Sequence, residues 1–218
     1  MANRADRPPL HRILFSSAMS PSTPPAEWPE TAQQLLSARR TILPKRLGAP
    51  GPDAAQLHQL FAAAATAPDH DQQLPWRFVH IADHQRPRLA DVFAQALLDR
   101  DPHATTDQVA QAREKAFRAP LLLLLVVHAD KGDASIDLNE RMLSAGAAVQ
   151  NLLLMATAQG FGSALTSGKA LKAKSFRDRF GLHSGEVAPC FISIGTVLQT
   201  KPGKPRPEPA SFVSTWGD

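Results

Sequence analysis

Apolar positions recur at helical spacing in the first well-patterned segment, "ETAQQLLSARR" after Pro29, and Pro44 with the "GAPGP" stretch closes that region. Arg39 and Arg40 therefore fall at or just past a helix C-terminus. "DAAQLHQLFAAAATAP" predicts a second helix, with Asp53 as its N-cap and Pro68 as its stop. "WRFVHIAD" is a strand of aromatic and β-branched residues, followed by the amphipathic helix "RPRLADVFAQALLDR" and by "TTDQVAQAREKAFRA", a helix leading to Pro120. The run "LLLLLVV" has the length of a strand buried on both faces and is too short to span a membrane.

No charge interrupts the chain between Arg141 and Lys169, and an element apolar all round is a buried helix. Gln150 and Asn151, adjacent in the middle of it, would be costly in hydrocarbon, so no membrane span is expected. Ser144, Gly146 and several alanines permit close helix packing, inside the subunit or across a dimer. "FRDRFGL" is a short helix, "VAPCFISIGTV" a strand, and "LQTKPGKPRPEPASFVSTW" a proline-rich tail that cannot build a core and must lie across something else. This order of elements predicts an α+β protein, a three-layer α/β/α sandwich with a central mixed sheet and a buried central helix. The expected organisation is a disordered extension over residues 1–26, one folded domain over 27–200 and an extended tail over 201–218.

The formal charge of +4 would suit a polyanion, but the basic residues are dispersed except in "GKALKAKSFRDRF" and "KPGKPRPEP", and aromatics rarely interleave with them. A small anionic cofactor accounts for the pattern as well, and no nucleic-acid partner is expected. The single cysteine, Cys190, excludes an intrachain disulfide and sits in an apolar run, as an inert core thiol would. The first thirty residues lack a secretory apolar segment; their arginines and serines faintly suggest a transit peptide, against which Asp6 and the prolines count, and Met19 is an alternative initiator. A cytoplasmic location is expected.

Several chemistries lack their signatures. Gly160 and Gly162 follow a helix instead of a strand, and Leu165 stands where a dinucleotide fingerprint needs its third glycine. There is no Walker motif and no nucleophile elbow. Asp69-His70-Asp71 and the His80 to His84 spacing are faint metal hints, but neighbouring residues point different ways in a regular element, so no metal is expected. Arg39, Arg40 and Thr41 offer two guanidinium forks and a hydroxyl to one phosphate, or else are two solvated arginines favoured by a helix C-terminus.

Four blocks in order, "SARRT", "AAATAPDHDQQLPWRFVHI", "ERMLSAGAAVQNLLLMATAQGFGSALTSG" and "FISIGTVLQTKPGKPRP", resemble the nitroreductase family of FMN-dependent NAD(P)H oxidoreductases, in particular its small bacterial branch. The resemblance covers about Leu35 to Pro207. It implies a nitroreductase-like fold and a homodimer with FMN at the interface, NAD(P)H as co-substrate, and hydride passed by ping-pong to a small-molecule electron acceptor such as a nitroaromatic or quinone. Carried onto this chain, it assigns Arg39, Arg40 and Thr41 to the FMN phosphate and ribityl chain, and His70 to flavin contact from the partner subunit. Thr66 replaces an arginine common in relatives. Leu165, Thr166 and Ser167 stand where Trp-Arg-Ser often faces the flavin. Met155 to Gly160, including Gln159 and Gly160, matches a stretch attributed to NAD(P), and Lys204 and Arg206 match a basic C-terminal position. By their own pattern Lys169, Lys172, Lys174, Arg177 and Arg179 are either a solvated helix face or a site for the 2′-phosphate of NADPH. No side chain is expected to be catalytic, because the reactive atoms belong to the cofactor. The alternative, raised by Leu165 and Thr166, is a flavin-binding protein of this fold without efficient turnover.

Overall fold

The computed structural model describes residues 24–203 and 205–217. Of the expected N-terminal extension over 1–26, residues 1–23, Met19 among them, lie outside those described, as does Lys204.

Local chemistry sets the helix starts. Helix α1 is Trp28–Ala38, and α2 is Ala54–Ala64. Asp53 caps α2 as predicted: its Oδ1 accepts from the Gln56 N–H at 2.8 Å, while Gln56 Oε1 accepts from the Asp53 N–H at 3.0 Å. Thr105 and Gln108 form the same reciprocal pair at the head of α4, Thr106–Glu114, which follows α3, Arg86–Leu98. The remaining helices are α5, Leu138–Ala158, and α6, Lys174–Phe180.

The strands are β1 (Leu47–Gly48), β2 (Trp76–His80), β3 (Leu121–His128), β4 (Gly162–Thr166) and β5 (Glu186–Val197). β2 pairs with β3 and β3 with β5, and β4 and the two-residue β1 also pair with β5. All four ladders are antiparallel; the mixed character is confined to a parallel bridge between Thr41 and Ser163 on the outer side of β4.

Strand β3 explains the three layers. Its residues alternate between faces, and seven of its eight are buried. Leu121, Leu123, Leu125 and Val127 pack with α2 and α5 residues such as Leu60, Ala148 and Leu152. Leu122, Leu124 and Val126 pack on the opposite face with Leu89, Val92 and Phe176 of α3 and α6. Truncating a fully buried leucine here, such as Leu123 or Leu152, removes about 2 to 5 kcal/mol.

The fold is the predicted α+β sandwich, with three differences from the sequence reading. Residues 162–166, read as the continuation of a helical, apolar stretch, form β4. The two-residue β1 lies in a region read only as the end of a helix. Helix α5 is not buried all round: Leu143 is 76% exposed and Gly146 is exposed, because nothing among the described residues covers that face. Nor does α1 bury any of its residues. Among the described residues no helix is long and apolar enough to cross a membrane.

Candidate functional site

Helix α1 ends at Ala38, and Arg39 turns into extended backbone with its N–H still bonded to the Leu35 carbonyl at 3.1 Å. The chain then runs along β4, where Thr41 bridges Ser163 and the Ile42 N–H donates to the Ser163 carbonyl at 2.8 Å. The tail returns to this point: Arg40 Nη1 donates to the Lys201 carbonyl at 3.3 Å, and Arg206 Nη2 to the Arg39 carbonyl at 2.8 Å. Arg39, Arg40 and Arg206 thus gather beside Thr41, and none has a carboxylate partner among the described residues. Partial burial and the Arg206 charge hold the Arg39 guanidinium below its ordinary pKa. Such a cluster is short of one anion, and the fork geometry of guanidinium suits a phosphate.

Leu165 and Thr166 end β4, with Ser167 just beyond, a few residues past the Thr41 bridge. Leu165 is half exposed on the open side of the strand. Gln159 and Gly160 have local tasks. Gln159 Nε2 ties α5 to α2 through the Gln56 carbonyl and Gln59 Oε1, at 3.2 and 2.9 Å. Gly160, at φ +82°, terminates α5 in a Schellman motif, with the Gly160 N–H on the Thr157 carbonyl and the Phe161 N–H on the Ala156 carbonyl.

His70 lies in a tightly shaped loop. Asp71, Gln72 and Leu74 all have positive φ, each a conformation that costs of order 1 to 3 kcal/mol outside glycine. The loop is held by Asp69 Oδ2, which accepts from the Leu74 N–H at 2.6 Å, by Lys131 on the Leu74 carbonyl, and by Gln73 Oε1 on the Asp133 N–H. Buried Arg141 donates to the carbonyls of Lys131, Asp133 and Ile136, fixing the segment against which this loop rests. His70 itself is exposed. Its Nδ1 meets Glu140 Oε1, and that hydrogen bond and then the Glu140 charge raise its pKa. Thr66 accepts from Asn151 Nδ2 at 3.1 Å and donates to the Ala63 carbonyl at 2.8 Å.

One subunit does not bring His70 and the arginines together. His70 precedes β2 at one edge of the sheet, and Thr41 flanks β4 at the other. Four strand spacings, roughly 19 Å, separate these edges. The basic stretch after β4 is likewise dispersed. Lys174 pairs with Asp178 at 2.6 Å, Arg177 donates to the Glu186 and His183 carbonyls, and Arg179 borders a small cavity beside Val79 and His80. Lys169 alone of that stretch lines the main cavity, of about 780 Å³, which Thr166 and Ser167 also line. Sequence reasoning missed Glu140 and Arg141. The only local signal for Glu140 was an acidic residue in the first turn of a helix capped by Asp137.

A sheet layered between two sets of helices, with an arginine-lined edge next to a half-open strand, defines a nitroreductase-like α+β protein. The chain belongs to the nitroreductase family, whose family model matches residues 36–196. It is 33% identical over 168 residues, 77% of this chain and 89% of the other, to the Haemophilus influenzae protein named "Putative NAD(P)H nitroreductase". A nitroreductase-like family protein from Bacillus cereus shares the fold with a TM-score of 0.72 and 19% identity, over 92% of this chain and 100% of that one. A variant of the FMN and NADPH-dependent nitroreductase NfnB from "sphigopyxis sp. strain HMH" shares it with a TM-score of 0.67 and 19% identity, over 85% and 99%.

Proposed function

We propose that the protein is an FMN-dependent oxidoreductase that uses NAD(P)H to reduce a nitroaromatic, quinone or similar small acceptor. The observation that carries this reading is the cluster of Arg39, Arg40 and Arg206, three guanidiniums brought together beside the Thr41 hydroxyl with no carboxylate partner among the described residues. A phosphate monoester is the anion that such a set fits, each charge-assisted bond contributing roughly 1.5 to 3 kcal/mol. When bound, FMN would supply the hydride chemistry that couples NAD(P)H oxidation to acceptor reduction, in two ping-pong half-reactions.

The chain's own residues bind and orient. Arg39, Arg40, Thr41 and Arg206 would hold the phosphate and ribityl end, and Leu165, Thr166 and Ser167 would border the ring. His70 would approach from a second subunit, since it sits at the opposite edge of the sheet from its own arginines. The homodimer reading is supported by α1, which buries nothing at home, by the open face of α5 at Leu143, and by Phe212 and Trp216 in the exposed tail. Gln159 and Gly160 would shape the pocket from the α5 terminus, in the stretch that matches the NAD(P) segment of relatives.

The visible spectrum of the purified protein, with its chromophore released by heat and identified, tests the reading. A yellow protein that releases FMN and oxidises NAD(P)H with a quinone or nitroaromatic is expected. A colourless protein that takes up no added FMN would overturn it, and a yellow one without turnover would favour a flavin-binding role, which the departures at Leu165 and Thr166 motivate.

A further inference from the structure

Five cations from four separate segments reach the 780 Å³ cavity: Lys45 after the arginine cluster, Arg100 at the end of α3, Lys115 and Arg118 at the end of α4, and Lys169 after β4. Asp101 is the one carboxylate in the lining among the described residues. Arg118 is neutralised by Glu114 at 2.5 Å, whereas the other four have no ion-pair or hydrogen-bond partner among the described residues. The apolar side of the cavity is deeper. Leu122 and Phe191 are buried sheet residues, and Phe93 packs edge-on to Phe191 with ring centroids 5.6 Å apart. The four free cations are exposed, so they form the rim.

An apolar floor under a cationic rim matches a ligand with one flat apolar end and one anionic end. A nicotinamide dinucleotide is built the other way, with its charges between two rings. Thr166 and Ser167 line this cavity and also border the proposed flavin position, so a ring seated here lies next to that site. We propose that the cavity between α3, α4 and the exit of β4 binds a planar aromatic carboxylate, and that such an anion is the electron acceptor. The acceptor role rests on the flavin reading above; the anion site does not.

Two measurements on the full chain test this. The first is direct binding of 4-nitrobenzoate, by calorimetry, to the wild type and to the Arg100→Glu/Lys115→Glu variant, with the Arg100→Gln/Lys115→Gln variant as a milder change at the same exposed positions. The dissociation constant is expected to rise about tenfold or more in the charge reversal and less in the neutral variant, the scale of one or two charge-assisted contacts. The second is the ratio of KM for 4-nitrobenzoate to KM for nitrobenzene with FMN-loaded protein, which is expected to rise by a similar factor. Equal affinity in all three proteins overturns the proposal. So does loss of FMN in the variants, which would assign these cations to the flavin phosphate, or a rise in KM for NAD(P)H with no change in the acceptor ratio. Carboxylate binding by a protein that takes up no FMN would defeat the flavin reading, and with it the acceptor role, while the anion site stands.

Discussion

His70 Nδ1 and Glu140 Oε1 lie 2.5 Å apart, joining the loop before β2 to the first turn of α5 across 70 residues of sequence. The Glu140 hydrogen bond is the largest cause of the raised His70 pKa, followed by the Glu140 charge; desolvation opposes them, and the Asp71 and Asp133 charges add smaller raising contributions. His70 is therefore expected to stay protonated above its ordinary value of about 6.5. Its stabilising effect is fully present below the unfolded pKa and is lost as pH rises through the higher folded pKa. NMR titration of the imidazole should show this elevated midpoint, and Glu140→Gln should lower it. A midpoint that Glu140→Gln leaves in place would mean the contact does not set the charge. Because the pair is exposed, little change in overall stability should accompany the shift.

Gly160 predicts a backbone effect without a packing effect. A Cβ there would meet no atom within 4 Å, yet φ is +82°. Gly160→Ala should cost about 1 to 2 kcal/mol in urea unfolding, and Gly160→Asn noticeably less, since asparagine tolerates this region better. Equal losses in the two variants would point to a contact instead.

For the arginine cluster, removing one charge-assisted contact should weaken FMN binding about tenfold or more, so Arg39→Ala and Arg206→Ala should each raise the FMN dissociation constant by that factor. Truncation before Lys201, which removes Arg206, should do the same. Fluorescence titration of the stripped protein with FMN provides the measurement. Full affinity after truncation would place the phosphate elsewhere.

The Cys190 thiol, partly covered in β5, has its pKa pushed up to about 11 by desolvation. Little thiolate is present at pH 8, so alkylation by iodoacetamide should be slow in the folded protein and fast in urea. Rapid labelling of the native protein would contradict this placement.

Much of this architecture was legible because it is locally encoded. Asp53 and Gln56, or Thr105 and Gln108, announce a helix start within four residues, and the apolar length of 121–127 announces a strand covered on both sides. Strand β4 was not legible. "GSALT" is short and rich in small residues, and it becomes a strand through pairing with Phe191 to Gly195 of β5. The phosphate grip could be suspected from adjacent Arg39 and Arg40, but the return of Arg206 onto the Arg39 carbonyl spans 167 residues and depends on the whole fold. The Glu140 partner of His70 and the rim of Lys45, Arg100, Lys115 and Lys169 have the same origin. No local pattern distinguishes those cations from solvated ones.

Helix α1, eleven residues long with none of them buried, is short for a helix that must persist in water on its own. If a second copy of the chain covers it, the helix becomes an assembly-dependent element, and mass action enters the thermodynamics of the fold. Thermal midpoints would then climb with protein concentration. Dilution would loosen α1 and, at its C-terminal end, the backbone that presents Arg39 and Arg40. Cofactor retention would follow the same dilution curve, making flavin content a gauge of how much protein is assembled.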